Sequence, residues 1–215
     1  MSAYPAAILF DLDGTLIDSE EVWNDALREF ARMRGAAVSA EVLARTHGLT
    51  ELDAMVLVHD ALGWRGRDID VDIAWVERRV GQVYTRRLPV TKGAADLLRL
   101  LRRKRIPIGL VTSTKRPLVE LALTQLGKFD IVLCHDDTDT HKPDPGPYLA
   151  AATGMAVDIR ACIAIEDSIP GITSAQAAGC TVLAVGRRLP PTIPGIRRVG
   201  SLREVDLNLL VSLVP

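Results

Sequence analysis

Cysteine, aromatic residues and long apolar runs are all scarce in this sequence of 215 residues, which has three cysteines and 4% aromatic residues. Cys134, Cys162 and Cys180 are far apart and form no paired motif, which argues against a zinc site or a disulfide framework and favours reduced, buried thiols. No apolar run approaches the roughly 18 residues of a membrane-spanning helix, and the N-terminus lacks a signal-peptide pattern. The net charge of −1 gives no reason to expect a nucleic-acid or membrane partner. We therefore expect a soluble, cytoplasmic protein.

The most informative segment is the acidic motif Asp11-Leu12-Asp13-Gly14-Thr15, which follows the apolar run from Ala6 to Phe10. The run predicts a buried strand that delivers two carboxylates to its carboxyl end, where open α/β sheets bind ligands. Two carboxylates held this close need a cation or a shared proton, because like charges disfavour ionisation. Taken alone, the same residues are explained equally well by a simple Asx turn.

The organisation of the chain favours an α/β fold with a doubly wound parallel sheet. From about residue 93 onward, short apolar strands alternate with amphipathic helices, which is typical of a parallel sheet covered on both faces. Residues 18–88 interrupt this alternation of strands and helices with four helical patterns. Asp18 is expected to cap the first of these helices, and the last is expected to run from Ile73 to Arg86. We predict a core domain of residues 1–17 and 89–215 and an inserted all-helical cap domain of residues 18–88.

Three further groups of polar residues lie at the ends of predicted strands or in the loops that follow them. They are Thr112 with Ser113, Lys142 in the next loop, and Glu166 with Asp167. Each has an ordinary explanation taken singly, such as a surface lysine or an acidic helix cap. Their convergence on one sheet edge with Asp11 makes a random turn a poor explanation, because a turn predicts no such coincidence.

These four motifs, in this order, resemble those of the haloacid dehalogenase superfamily, in its branch with a helical cap after the first strand, which includes β-phosphoglucomutase-like and phosphoglycolate phosphatase-like members. The resemblance implies a Rossmann-like core in which Asp11 attacks phosphorus and Asp13 carries the proton. It implies phosphate binding by Thr112, Ser113 and Lys142, with Thr112 and Lys142 counted among the catalytic residues. It also implies Mg²⁺ as cofactor, with ligands from Asp11, Asp13, through its backbone carbonyl, and Asp167, and with Glu166 in support.

Differences between this sequence and the motifs of other branches reduce the number of reactions to be considered. Dehalogenating members lack an acid at the position of Asp13, and phosphonate-cleaving members need a cap lysine, whereas no lysine lies between Gly14 and Leu88. Mutase-like members carry a cap histidine and a cap arginine where this chain has Trp23 and Glu51. The expected function is hydrolysis of a small phosphomonoester, such as a sugar, polyol or other metabolite phosphate, through an aspartyl-phosphate. The alternatives are a mutase of the β-phosphoglucomutase type and a non-catalytic binding module on the same fold.

Substrate selection is expected to lie with cap residues, namely Glu20, Trp23, Asn24, Arg45, His47, Gly48 and Glu51. Trp23 fits core packing on an amphipathic helix as well as it fits substrate contact. His47 is expected to make a local polar contact rather than to act as a base. Glu51 is expected to be solvated rather than to face the substrate, as charged residues usually are. The sequence gives no indication of the oligomeric state.

Overall fold

The computed structural model describes residues 4–186, 189 and 195–214, and its centre is a parallel sheet. The predicted core domain also includes residues 1–3, 187–188, 190–194 and 215, which lie outside the described residues. The strands are β1 (Ala7–Phe10), β2 (Ile108–Val111), β3 (Ile131–Leu133), β4 (Cys162–Glu166), β5 (Thr181–Val185) and β6 (Arg197–Val199). Their spatial order is β3-β2-β1-β4-β5-β6, and every neighbouring pair is parallel. The prediction of a parallel α/β sheet is confirmed.

Strand β1 is apolar throughout because both faces of the sheet are covered. Ile8 and Phe10 pack into the larger hydrophobic cluster, whereas Ala7 and Leu9 pack into a second cluster on the opposite face. This division follows from the alternation of side chains along a strand. Among the helices that follow residue 90, those that contribute to the two clusters are α5 (Ala94–Arg103), α6 (Arg116–Leu126), α7 (Gly146–Gly154), α8 (Ile169–Ala178) and α9 (Leu207–Leu213).

The position of β1 determines where a ligand can bind. Chain connections proceed outward from β1 in one direction through β2 and β3, and in the other through β4, β5 and β6. At such a switch point the loops leave a crevice beyond the carboxyl ends of the strands. Asp11 follows β1 directly, and Thr112 follows β2 directly.

Four helices follow β1 and form what we call the helical segment: α1 (Glu20–Met33), α2 (Ala40–Thr46), α3 (Glu51–Leu62) and α4 (Ile69–Arg86). The segment shares the larger hydrophobic cluster with β1 and the residues after it, including Leu12 and Leu16. Among the described residues, no helix has the length and apolarity needed to cross a bilayer.

The ends of two of these helices differ from the sequence prediction. The residue that precedes α1 is Ser19, not Asp18, and the Ser19 hydroxyl donates to Asp13 instead of capping the helix. Helix α4 begins at Ile69, earlier than the apolar periodicity predicts, because the carboxylate of Asp68 accepts from the backbone N–H groups of Asp70 and Val71.

A buried carboxylate holds the helical segment together. Asp72 on α4 accepts hydrogen bonds from Arg67 at 2.8 and 3.0 Å and from Arg34, which follows α1, at 2.9 Å. His59 Nε2 on α3 lies 3.1 Å from the second carboxylate oxygen. Burial opposes ionisation, but hydrogen bonds from Arg67 and the charge of Arg34 outweigh it and lower the pKa of Asp72. One anion therefore ties three helices together.

We expect Asp72→Asn to lower the free energy of unfolding of the helical segment by about 3 kcal/mol, because it removes the anion that several cationic groups share. Asp60→Asn is the matched control, since Asp60 pairs with Arg65 at the exposed surface and such pairs contribute about 0.5 kcal/mol. Urea unfolding followed by tryptophan fluorescence measures both, because all three tryptophans of the chain lie in this segment. Equal losses in the two variants would contradict the expectation.

Candidate active site

A pocket opens where the carboxyl ends of β1, β2 and β4 face the helical segment. Asp11, Asp13, Thr112, Ser113 and Lys142 all line it. The backbone N–H of Asp11 still donates to Ile165 of β4, at 3.1 Å, so the residue leaves the sheet at a defined position. Polar residues that are far apart in the sequence therefore line one pocket.

Lys142 is the cation of this pocket. Its Nζ donates to Asp11 Oδ1 at 2.7 Å, to Glu166 Oε1 at 2.6 Å and to the carbonyl of Val111 at 2.9 Å. The side chain is only 4% exposed, so burial disfavours the charge, but the carboxylates of Asp11 and Glu166 outweigh this effect and raise the pKa of Lys142. The ammonium is thus permanently charged and has a partner for each of its three donors.

Glu166 is fully buried and is held on all sides. Besides Lys142, the hydroxyl of Tyr148 donates to its Oε1 at 2.6 Å, and the hydroxyl of Ser168 donates to Oε2 at 3.3 Å. A Cβ at Gly171 would lie 2.0 Å from Oε1, so only glycine leaves room for this carboxylate at the start of α8. Glu166 therefore positions Lys142, in addition to any role that Glu166 has in metal binding.

Three buried carboxylates lie close enough to share a metal ion. Asp11, Glu166 and Asp167 each offer an oxygen atom within 4.8 Å of the others. Burial raises the pKa of Asp11 to about 8, and burial together with the charges of Asp11 and Glu166 raises the pKa of Asp167. Lys142 compensates for only part of this charge. A set of hard oxygen donors with unbalanced negative charge fits a divalent cation such as Mg²⁺.

Gly14 gives Asp167 the space it needs. A Cβ at Gly14 would lie 1.9 Å from Asp167 Oδ2, and the φ angle of +82° is in the region that favours glycine. The hydroxyl of Thr15 donates to the other oxygen of Asp167 at 3.3 Å. The Gly-Thr pair of the acidic motif thus shapes the position of a carboxylate far along the chain.

Asp13 turns toward the helical segment and accepts four hydrogen bonds. Its Oδ1 accepts from Ser19 at 2.5 Å, from the indole N–H of Trp23 at 3.3 Å and from Tyr84 at 3.1 Å. Its Oδ2 accepts from Thr114 at 2.6 Å. Burial and the neighbouring Asp13 charge raise the pKa of Tyr84, so its hydroxyl keeps the proton that it donates.

The neutral groups of the pocket come from the loop after β2. The backbone N–H of Thr114 donates to the hydroxyl oxygen of Thr112 at 3.1 Å, which leaves the Thr112 proton available to a ligand. Ser113 lines the pocket beside it.

Most of the residues predicted to contact substrate from the helical segment line the pocket, namely Glu20, Trp23, Asn24, His47, Gly48 and Glu51. Arg45 does not, and the prediction for it is wrong: it is exposed, because it lies two positions from the buried Leu43 and so points to the opposite side of α2. His47 lies between two acidic side chains, with Nδ1 3.7 Å from Glu20 and Nε2 3.5 Å from Asp167.

Glu51 corrects the expectation of a solvated side chain, since it is only 10% exposed. It begins α3, and its Oε2 lies 3.4 Å from Nζ of Lys115, which also donates to Glu77 on α4 at 2.6 Å. Burial, followed by the charge of Glu77, raises the pKa of Glu51 to about 8. Tertiary packing, rather than the local sequence, buries this carboxyl group.

Several residues of the site are absent from the sequence prediction, namely Ser19, Tyr84, Thr114, Lys115 and Tyr148. Tyr84 and Tyr148 occupy apolar faces of helices, so the sequence pattern marks them as core residues. Thr114 and Lys115 directly follow the Thr112-Ser113 motif, and that proximity is the one signal that could have found them.

Comparison with known proteins agrees with this geometry. The family model described as haloacid dehalogenase-like hydrolase matches residues 5–179. Validoxylamine A 7'-phosphate phosphatase of Streptomyces hygroscopicus subsp. limoneus is 34% identical over 174 residues, which cover 80% of this chain and 81% of the relative. Hexitol phosphatase A of Escherichia coli strain K12 is 32% identical over 203 residues, 94% of this chain and 88% of the relative.

A solved structure shares the whole architecture. The crystal structure of a HAD hydrolase, family IA, variant 3, from Entamoeba histolytica HM-1:IMSS superimposes with a TM-score of 0.84 at 26% sequence identity, and the match covers 96% of this chain and 98% of the other.

The raised pKa of Glu51 predicts a pH-dependent contribution to stability. Between its ordinary value of 4.5 and about 8, the folded protein retains a proton that the unfolded chain releases, so this contribution falls as the pH rises. Glu51→Gln cannot titrate, and we expect it to gain about 3 kcal/mol relative to the parent protein between about pH 5 and about pH 8. Thermal and urea unfolding at several pH values measure the difference.

Glu41→Gln is the control for this measurement, because Glu41 is exposed on α2 of the same segment. Its stability relative to the parent protein should not change with pH. A pH-independent difference for Glu51→Gln as well would show that Glu51 ionises in the folded protein as it does in water.

Proposed function

This chain belongs to the haloacid dehalogenase-like hydrolase family, and from that premise we propose that it is a Mg²⁺-dependent phosphatase acting on a phosphomonoester of a small metabolite. The observation that carries the proposal is the pairing of Asp11, which Lys142 contacts at 2.7 Å, with Asp13, which faces the same pocket. The relatives named as phosphatases of validoxylamine A 7'-phosphate and of hexitol phosphates support the reaction class. The free, buried cysteines are consistent with a reducing cytoplasm, which we propose as the location.

Hydrolysis proceeds in two displacements. A carboxylate oxygen of Asp11 attacks phosphorus, the bond from phosphorus to the ester oxygen breaks, and Asp13 gives its proton to the departing alkoxide. Water then attacks the aspartyl-phosphate, Asp13 takes a proton from that water, and the carboxylate of Asp11 leaves. The products are the alcohol and inorganic phosphate.

Charge neutralisation decides whether a phosphate dianion can bind among these acids. Lys142 supplies a fixed cation, while the Thr112 hydroxyl and the backbone N–H of Ser113 supply donors without adding charge. When bound, Mg²⁺ would neutralise charge on the phosphoryl oxygens, held by Asp11 and Asp167 with the backbone carbonyl of Asp13 and support from Glu166.

The helical segment acts as a cap over the pocket, in the proposed division into residues 18–88 and a core of 1–17 and 89–215. It contributes three donors to Asp13, from Ser19, Trp23 and Tyr84. Because these donors hold the Asp13 carboxyl group in one orientation, the cap helps to position the proton carrier beside the pocket.

We expect Asp11→Asn to reduce Mg²⁺-dependent release of phosphate from an aryl phosphate to background, because an amide is a poor nucleophile. Asp18→Asn is the matched control, since Asp18 is exposed and only its backbone N–H bonds to Pro89. Removal of the metal with EDTA should abolish activity, and Mg²⁺ should restore it. Phosphate release by Asp11→Asn at the rate of the control would contradict the role of Asp11, and no release by the parent protein above that of Asp11→Asn on any substrate would favour the non-catalytic module.

Asp13→Asn should separate substrates by their leaving groups. A proton donor typically contributes about 10²- to 10⁴-fold, and most of that benefit goes to poor leaving groups. We expect kcat/KM to fall much more for an alkyl phosphate than for a nitrophenyl phosphate, whose leaving group needs little protonation. Equal losses for both esters would contradict the role of Asp13 as general acid.

A mutase of the β-phosphoglucomutase type would isomerise a sugar phosphate instead of releasing phosphate. An assay that follows both products of one sugar phosphate distinguishes the two reactions. We expect phosphate release to dominate, and isomerisation at an equal or higher rate would overturn the phosphatase assignment.

A further inference from the structure

Tyr148 carries a hydroxyl group into the interior of the protein. The side chain is fully buried and belongs to the second hydrophobic cluster, together with Leu9 and Val111. A buried hydroxyl without a hydrogen-bond partner costs free energy, so a buried tyrosine normally has one. Here the hydroxyl donates to Oε1 of Glu166 at 2.6 Å. This carboxylate therefore explains the hydroxyl, whereas packing alone would be satisfied by a phenylalanine.

The oxygen atom that accepts from Tyr148 also accepts from Lys142. Nζ of Lys142 lies 2.6 Å from Oε1 of Glu166, while Oε2 accepts a longer hydrogen bond from Ser168 at 3.3 Å. Short hydrogen bonds to an ionised acceptor are the strong ones, and two of them on one atom fix the orientation of the Glu166 side chain. The position of the acceptor that holds Lys142 therefore depends on Tyr148.

The ring of Tyr148 makes a second contact with Lys142. Nζ of Lys142 lies 5.3 Å from the ring centroid, which is within the range of a cation–π interaction. Such an interaction is strongest where water is excluded, and the Lys142 side chain is only 4% exposed. Tyr148 thus constrains the ammonium group twice, directly through its ring and indirectly through Oε1 of Glu166.

The chain between Lys142 and Tyr148 is held by hydrogen bonds at Asp144. The backbone N–H of Gly146, the first residue of α7, donates to the Asp144 carboxylate at 2.8 Å. The hydroxyl of Ser174 on α8 donates to the Asp144 carbonyl at 2.5 Å. Helix α7 therefore begins at a fixed place relative to Lys142, and its first turn carries Tyr148.

We propose that Tyr148 is a positioning residue for phosphoryl transfer, which directs the Lys142 ammonium group toward Asp11 and the transferred phosphoryl group through Glu166 and through its own ring. The inference rests on the proposed phosphatase function. Glu166 and the Val111 carbonyl take two of the three donors of Lys142, so the third points to Asp11. Without the Tyr148 hydroxyl, Oε1 loses one of its two short hydrogen bonds, and the Glu166 carboxylate is less constrained when phosphate arrives.

The protonation state of Tyr148 suits this role. Burial, followed by the charge of Glu166, raises the pKa of Tyr148 well above its ordinary value of 10. The hydroxyl therefore keeps its proton at neutral pH and remains a donor.

The first test follows the Lys142 ammonium group in the free protein, without substrate, metal or turnover. A buried ammonium with three acceptors exchanges its protons slowly, so it should give a resolved signal in proton–nitrogen spectra of protein labelled at lysine Nζ. The other lysines are exposed or half-buried, namely Lys92, Lys104, Lys115 and Lys128. We expect Tyr148→Phe to shift the Lys142 signal and to raise its proton exchange rate by about tenfold. Lys142→Arg identifies the signal.

The second test measures inorganic phosphate binding by calorimetry in the presence of Mg²⁺, and kcat/KM for phenyl phosphate. We expect Tyr148→Phe to raise the Kd of phosphate and to lower kcat/KM, each by about tenfold, because a hydrogen bond to a charged group is lost. Tyr148→Leu also removes the ring and should cause a larger loss. Tyr4→Phe is the matched control, since Tyr4 is 47% exposed, and it should change neither quantity.

A double-mutant cycle with Glu166→Gln shows whether Tyr148 acts through Glu166. In that background the anion is absent, so Tyr148→Phe should change the Kd of phosphate by less than about twofold. A purely structural role would give the same loss in both backgrounds. Urea unfolding of each variant measures the structural contribution separately.

The outcomes separate the two levels of inference. If the parent protein hydrolyses neither phenyl phosphate nor any other phosphomonoester, the proposed function fails and this inference fails with it. If it hydrolyses them, but the Lys142 signal, the Kd of phosphate and kcat/KM are the same in Tyr148→Phe as in Tyr4→Phe, the phosphatase assignment stands and the role of Tyr148 is overturned. Equal losses in the two backgrounds of the cycle would overturn it as well. Should Tyr148→Leu fail to fold, Tyr148→Phe, which keeps the ring, decides alone.

Discussion

The candidate site depends on one ammonium group, that of Lys142. Three carboxylates are buried within hydrogen-bonding or metal-binding distance of one another, and the effective cost of burying each without compensation is several kcal/mol. Nζ of Lys142 donates hydrogen bonds to the carboxylates of Asp11 and Glu166 at 2.7 and 2.6 Å, and a third hydrogen bond to the carbonyl of Val111. Burial, followed by the charges of Asp11 and Glu166, raises the pKa of Asp167 even though Lys142 lies nearby. In the function that we propose, a divalent cation and a phosphate complete this arrangement.

A second constraint connects the chemistry to the helical segment. Asp13 lies only two residues beyond Asp11 at the end of β1, yet three of its four hydrogen-bond donors belong to the helical segment or its start. The residue to which we assign proton transfer is therefore positioned by the part of the molecule that also lines the pocket from the side opposite the sheet. Lys115, with its ion pairs to Glu51 and Glu77, makes a second contact between the loop after β2 and the helical segment.

The sequence predicts the location of residues at strand ends better than the location of residues on helix faces. Asp11, Thr112 and Glu166 could be placed at one sheet edge because each ends a continuous apolar run, and parallel strands bring their carboxyl ends to the same edge. Arg45 was wrongly placed in the pocket and Glu51 was wrongly expected to be solvated, because the local pattern of a helix does not say which neighbour each of its faces meets. Tyr84 was missed because a tyrosine on an apolar face is usually a core residue.

The sequence by itself determined the parallel α/β sheet, the all-helical insertion after the first strand and the group of residues that meet at the sheet edge. These follow from local rules, since side-chain periodicity and strand direction are properties of short segments. Only the tertiary structure decided that Asp13 is held by Ser19, Trp23, Tyr84 and Thr114, and that the Glu51 carboxyl group is buried beside Lys115. Such contacts join residues far apart in the chain, and their free energies depend on burial and distance, which no local pattern contains.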